Sequence, residues 1–272
     1  MNVSRYWKVD VSRGLAVVAM VVYHLVYDLD VLGGYPIGST SGFWGAFADA
    51  SAFAFVFLVG LSLSLSFARA DRSRRDRVPF GKYLRRGMGI FSYGMLITLV
   101  LWVLDFGVVA FGTLHLIGAS IALAYPFLRL RLANLVVGLS LVAVGVYLRA
   151  EQVEATGVLS ILLTPLGVEP ERVYMPDYRP LLPWFGVVLL GLFFGNVVYG
   201  WRRAGVGDAD GPSYAAPLAF LGRHALPVYL IHQPVLVAAL WVAGLIEPGF
   251  PQSFSAELVC GPGCLNDLLS IR

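Results

Sequence analysis

Residues 10–28, DVSRGLAVVAMVVYHLVYD, join a long apolar run to an arginine and a histidine that lie eleven positions apart. At about 100° per residue, eleven steps bring Arg13 and His24 within about 20° of each other around a helix, with roughly 16 Å of rise between them. Asp10 and Asp28 lie on the same stripe. Ionisable groups inside a bilayer cost at least about 2.5 kcal/mol each, so they need a protein-lined or wet cavity. The stretch predicts a membrane helix with a polar site, and a satisfied structural histidine is the alternative.

The composition is typical of an integral membrane protein. Hydrophobic residues make up 58% of the chain and charged residues 14%, and the mean hydropathy is +0.74, whereas soluble domains carry about 25% charged residues. Apolar runs long enough to span a core of roughly 30 Å predict an all-α polytopic bundle of about seven transmembrane helices. The predicted spans are 14–32, 50–68, 87–105, 108–128, 132–149, 181–201 and 224–246. Glycines within these spans, such as Gly60, Gly118 and Gly191, predict close helix packing.

The basic residues fall mainly on one side of the predicted spans. All but four of the twenty Lys and Arg residues lie on that side, most densely in the connection 69–86. By the positive-inside bias, the N-terminus is cytoplasmic, and seven spans place the C-terminus outside. The net charge of +3 then reflects topology and gives no reason to expect nucleic-acid binding. We expect one membrane domain over residues 1–250 of a multi-pass plasma-membrane protein, and an external tail over 251–272 in which Cys260 and Cys264 form a disulfide or remain free thiols.

Three of the four histidines fall inside predicted spans. His24 and Asp28 are four residues apart, so the carboxylate can accept from one ring nitrogen and leave the other as a base or nucleophile. His232 lies nine residues beyond Arg223, which predicts a position near mid-depth. For His115, near the external end of its span, an interhelical hydrogen bond is an equally good explanation. No histidine pair has the spacing of a metal motif, so we expect no metal.

The opening DVSRGLAVVAMVVYH resembles the first helix of the transmembrane acyltransferase superfamily, including the acyltransferase-3 proteins, whose signature is an arginine and a histidine with ten residues between them. More narrowly, the chain resembles the prokaryotic branch of the heparan-alpha-glucosaminide N-acetyltransferase catalytic-domain family. The resemblance extends over about residues 5–240, in the segments VDVSRGLAV, FADASAFAFVFLVGLSLSLS, FGTLHLIGAS, DYRPLLPWFGVVLLG and LGRHALPVYLIHQPVL.

This resemblance implies acyl transfer from cytosolic acetyl-CoA, or another acyl-CoA, to a glycan or envelope acceptor on the other side of the bilayer. His24 would act as base or acyl carrier, and His232 would match the histidine of the last conserved helix. The lysosomal members carry a loop histidine where this chain has Ser39, which makes His24 the histidine on which the chemistry depends. The complete set of expected site residues is His24, Asp28 and His232 for catalysis, Asp10, Arg13 and Arg223 on the donor side, and Asp49, His115, Asp177 and Arg179 on the acceptor side.

Two other functions stay open from the sequence. In a proton-coupled transporter, the buried histidines and aspartates would form a proton relay. A non-catalytic membrane protein would retain the same fold without turning over acyl-CoA. The expected partners are the lipid bilayer, acyl-CoA and the acceptor, and a homo-oligomer is compatible with the sequence.

Overall fold

The structure is a computed structural model that describes residues 6–73, 78–104, 109–151, 154–155, 162–170, 175, 177–199 and 211–246. These residues confirm the predicted all-α bundle. Short 3-10 turns occur at Tyr125–Phe127, Thr164–Leu166 and Ser213–Ala215, and the two-residue strands β1 (Glu154–Ala155) and β2 (Glu169–Pro170) pair in parallel. The α-helices are α1 (Trp7–Val31), α2 (Gly42–Ser73), α3 (Phe80–Val103), α4 (Thr113–Leu123), α5 (Leu132–Ala150), α6 (Leu181–Val198), α7 (Ala216–Arg223) and α8 (Ala225–Val242).

Within the described ranges, six helices are long and apolar enough to cross a membrane: α1, α2, α3, α5, α6 and α8. The chain is therefore a polytopic integral membrane protein. The apolar run 108–128 was predicted to span the membrane, but its α-helix is too short to do so. This helix, α4, has eleven residues, about half the length that a bilayer core requires. The sidedness of the termini stays a prediction. The tail 251–272, with Cys260 and Cys264, lies outside the described residues.

The hydrophobic core lies where α4 and α6 meet α2. Leu116 of α4 and Val188, Leu189 and Leu192 of α6 are fully buried. Both helices are apolar on all sides, a pattern that fits a helix surrounded by protein. On the outside of this core, α5 packs on α6 and α3 packs on α4, while α1 contacts α2, α7 and α8. The outer helices α3 and α5 expose most of their apolar residues, and α8 exposes Ile231, Val235, Trp241 and Val242, as lipid-facing helices do.

Close approach of the helix backbones depends on glycine, as the sequence predicted. A Cβ atom at Gly60 of α2 would overlap the Val188 carbonyl group of α6, and one at Gly191 of α6 would overlap the Phe57 carbonyl group of α2. The two helices therefore touch through their main chains at two points. No side chain fits at either position unless the helices move apart.

We expect Gly191→Ala to destabilise the protein by about 1–3 kcal/mol, because the added methyl group forces α2 and α6 apart. The measurement is the midpoint of thermal unfolding in detergent. Gly89→Ala is the matched control, since a Cβ atom at Gly89 of α3 meets no atom within 4 Å, and alanine favours the helix by about 1 kcal/mol. Equal midpoints for the two variants would contradict the proposed contact.

Candidate functional site

Arg13 joins three helices at one end of α1. Its Nη1 donates to Asp10 Oδ1 and to the Gly222 carbonyl oxygen, both at 3.1 Å, and its Nη2 donates to Ser62 Oγ at 2.9 Å. Gly222 directly precedes Arg223, so the structure brings the three residues expected on the donor side to the same end of α1. The Arg13 side chain is 24% exposed. This end of the helix therefore presents cationic groups at the edge of the protein.

Two glycines allow α7 to lie directly on this end of α1. A Cβ atom at Gly14 would overlap the Leu218 carbonyl group, and one at Gly222 would overlap the Asp10 carbonyl group. Small residues on both helices thus bring the Gly222 carbonyl oxygen within reach of Arg13. The cluster around Arg13 depends on this backbone contact.

His24 of α1 meets His232 of α8 edge to face, with ring centroids 4.8 Å apart and an interplanar angle of 83°. The Nδ1 atom of His24 lies 2.9 Å from the Met20 carbonyl oxygen, and that of His232 lies 2.6 Å from the Tyr229 carbonyl oxygen. Because a carbonyl oxygen only accepts, each Nδ1 carries the hydrogen, and each Nε2 of a neutral ring keeps a lone pair. The two helices thus fix the same tautomer in both rings.

The hydrogen bond that we expected between His24 and Asp28 is not formed, and that prediction is wrong. Asp28 is fully buried, and its Oδ1 accepts from Nε2 of Gln233 on α8 at 2.6 Å. His24 turns Nδ1 back to the carbonyl group of Met20, one turn earlier in its own helix. The carboxyl group therefore links α1 to α8 and does not orient the His24 ring directly.

Asp177 connects the chain before α6 to α4 and α8. Its Oδ1 accepts from Thr113 Oγ1 at 2.7 Å, and its Oδ2 accepts from the Thr113 N–H at 3.0 Å and from the Tyr229 hydroxyl at 2.9 Å. Thr113 begins α4, where a carboxylate interacts favourably with the helix dipole. Asp177 has a φ of +55°, which is uncommon outside glycine. Three contacts from two helices hold it in that conformation.

Asp177 and Arg179 lie close to the histidine pair. Tyr178, between them, pairs with Gly112 in an antiparallel bridge, and the Arg179 guanidinium lies over the Trp184 ring, 5.2 Å from its centroid. Tyr229, whose hydroxyl donates to Asp177, lies beside His232, with their ring centroids 5.6 Å apart. The structure therefore brings these two acceptor-side residues together with the histidine pair.

Of the other two residues expected on the acceptor side, Asp49 pairs with Arg149, and His115 meets this cluster only through Gly112. Asp49 Oδ2 lies 3.9 Å from Arg149 Nη1, and both side chains are exposed. His115 is buried, and its Nδ1 accepts from the Gly112 N–H at 3.1 Å while its ring packs against Phe91. We therefore assign His115 to packing and to the start of α4.

Tyr229 and Thr113 were missed at the sequence level. A signal existed for Tyr229, because it lies three residues before His232 and hence on the same face of α8. For Thr113 the signal was weaker, since only its place before an apolar run suggested a helix start. Among the residues that the structure describes, no group of three or more His, Cys, Asp or Glu side chains could hold a metal ion.

The family model for the catalytic domain of heparan-alpha-glucosaminide N-acetyltransferase matches residues 5–234. The chain belongs to this family. The matched segment extends from the start of α1 to Pro234 in α8, so it includes both His24 and His232. Comparison with curated proteins and with solved structures gave no match. Membership in the heparan-alpha-glucosaminide N-acetyltransferase family assigns the protein a membrane acyltransferase-like function.

We expect Tyr229→Phe to destabilise the protein by about 1.5–3 kcal/mol, because it removes a hydroxyl donor from the charged Asp177 carboxylate. Thermal unfolding in detergent measures this loss. Tyr147→Phe provides the control, since Tyr147 is exposed on the outer surface of α5. If both variants unfold at the wild-type temperature, Tyr229 does not support Asp177.

Proposed function

We propose that the protein transfers an acyl group from cytosolic acyl-CoA to a hydroxyl or amino group of a glycan or envelope component, with the chemistry at His24 and His232. The observation that carries this proposal is the histidine pair itself. Two imidazole rings meet inside the bundle, and each uses Nδ1 on a main-chain carbonyl group and keeps an Nε2 lone pair. One lone pair can attack an acyl carbon while the other takes a proton.

In the first step, Nε2 of His24 attacks the thioester carbonyl carbon. A C–N bond forms, the C–S bond breaks, and coenzyme A leaves as its thiolate. The acyl imidazolium carries a positive charge, and its Nδ1–H remains bonded to the Met20 carbonyl oxygen. That bond to a main-chain dipole stabilises the charged ring more than the neutral one.

In the second step, the acceptor oxygen or nitrogen attacks the acyl carbon, and Nε2 of His232 takes the acceptor proton. The bond between the acyl group and His24 breaks, and both histidines return to their neutral state once the proton passes to the thiolate. The net products are the acylated acceptor and free coenzyme A thiol. Neither step requires a metal ion.

The two ends of the site suit the two substrates, the donor by charge and the acceptor by hydrogen bonding. Coenzyme A is a polyanion, and guanidinium groups bind phosphate oxygens well. The exposed part of Arg13 and the neighbouring Arg223 therefore form the donor side, while buried Asp10 holds the Arg13 guanidinium in place. Asp177 and Arg179 near the histidine pair offer an acceptor and donors of hydrogen bonds, which suits a hydroxyl-rich acceptor.

Purified protein in lipid nanodiscs, incubated with radiolabelled acetyl-CoA and a membrane or glycan extract, tests the proposal. We expect release of free thiol together with label on an extractable acceptor. Protein reconstituted into sealed vesicles tests the transporter alternative. Substrate flux without thiol release would refute acyl transfer, as would an absence of turnover with every acyl-CoA supplied.

A further inference from the structure

Asp28 and Gln233 meet between α1 and α8, one turn from the histidine pair along α1. Gln233 Nε2 donates to Asp28 Oδ1 at 2.6 Å. The other two oxygens of the pair, Asp28 Oδ2 and Gln233 Oε1, are both buried and have no hydrogen-bond partner within the described part of the chain. Two buried oxygens of adjoining groups therefore lack a donor.

Protonation of the Asp28 carboxyl group supplies the hydrogen-bond donor that this pair lacks. An ionised carboxyl group and an amide oxygen only accept hydrogen bonds, and a buried charge without a partner is costly. The ion pairs among the described residues are Arg13 with Asp10, Arg129 with Asp71 and Arg149 with Asp49, and none includes Asp28. A hydrogen on Oδ2 removes the charge and gives the pair a donor where its two remaining oxygens have none.

The Asp28 carboxyl group is protonated in either orientation of the Gln233 amide. Oxygen and nitrogen of a glutamine amide are assigned from the hydrogen-bond pattern. If the Gln233 amide is reversed, its oxygen lies 2.6 Å from Asp28 Oδ1. Two oxygens at that distance require a hydrogen between them, so the carboxyl group is again protonated.

We propose that Asp28 is a positioning residue whose protonated carboxyl group pairs with the Gln233 amide and holds α1 against α8, so that His24 and His232 face each other. The inference rests on the proposed function in assigning that role. The sequence places Asp28 four residues after His24 and Gln233 directly after His232, so the two pairs join the same two helices at neighbouring levels. The ionisable groups next to the pair along the two helices are His24 and Tyr27 on α1 and Tyr229 and His232 on α8, and Asp177 binds the Tyr229 hydroxyl.

The proposal is tested by comparing Asp28→Asn with Asp28→Leu. An asparagine amide offers the same oxygen to Gln233 Nε2 and an N–H to Gln233 Oε1, so we expect activity within about threefold of wild type and an unchanged unfolding midpoint. Leucine offers neither, and we expect at least about a tenfold loss of activity and a lower midpoint. An ionised, catalytic Asp28 would instead make Asp28→Asn about 100-fold less active or worse. That result, or failure of Asp28→Asn to fold, would overturn the proposal.

Infrared spectroscopy tests the proton without any activity assay. Wild type at neutral pH should show the C=O stretching band of a protonated carboxyl group, and Asp28→Asn should lack it. Asp49→Asn, at an exposed carboxylate, should retain the band. The absence of this band in wild type, or its persistence in Asp28→Asn, would contradict the proposal. If wild type turns over no acyl-CoA, the proposed function fails while the infrared result still decides the state of Asp28.

Discussion

His24→Ala is expected to lower the rate of acyl transfer by at least about 10³-fold, because it removes the nucleophile and leaves the rest of the site intact. The ring of His24 is one of two imidazole groups in the cluster, and its Nε2 is the atom to which the acyl group would be attached. Rapid acid quenching of wild type with radiolabelled acetyl-CoA, before any acceptor is added, should trap label on the protein. The variant should trap none.

His224→Ala is the matched control for this experiment. His224 is exposed at the junction of α7 and α8, where its Nδ1 donates to the carbonyl oxygen of Phe220. Removal of this ring should leave the transfer rate within about threefold of wild type. Label that is trapped equally by wild type and His24→Ala would assign the covalent step to another residue and would refute the role of His24.

Arg13→Leu is expected to lower the free energy of unfolding by about 3 kcal/mol, because it leaves Asp10 nearly buried without its cation and three acceptors without their donor. Those acceptors lie on α1, α2 and α7: Asp10, Ser62 and the Gly222 carbonyl group. For a protein of this size, such a loss corresponds to a fall of about 6–12 °C in the midpoint of thermal unfolding. Detergent-solubilised protein gives the measurement.

Arg85→Leu serves as the control for the loss of a cation alone. Arg85 is exposed on α3, so its replacement should move the midpoint by less than about 2 °C. Arg13→Lys should lie between the two variants, since an ammonium group retains the charge but lacks the planar fork that reaches several acceptors. An Arg13→Leu midpoint equal to that of Arg85→Leu would show that the three-helix cluster contributes no stability.

The polar stripe on α1 was predictable because it depends on a helical repeat within a single segment. The structure confirms that both ends of the stripe carry contacts to other helices, Arg13 with α2 and α7, and His24 and Asp28 with α8. The partners themselves were not predictable. Gln233 lies more than 200 residues from Asp28 in sequence, and no local pattern records which face of α8 packs on α1. The expected bond between Asp28 and His24 failed because a nearer main-chain carbonyl group takes the histidine proton.

The length of α4 shows a second limit of sequence patterns. The run 108–128 is mainly apolar, and apolarity alone does not distinguish a lipid-facing span from a short helix surrounded by protein. Here the helix ends at Leu123 and a 3-10 turn with Pro126 follows. Only the packing of α2, α3 and α6 around it distinguishes the two cases.

The rigid helix α1 fixes the distance between the two residues that the acyl donor must contact. Arg13 is fixed at one level of α1 and His24 at another, and the interval between them is set by helical rise at roughly 16 Å. A donor that touches the arginine with its phosphates and delivers an acyl group to the histidine must be an extended molecule of about that reach. A compact acyl donor would reach either Arg13 or His24, but not both. The backbone of a single helix would thus select its substrate by length.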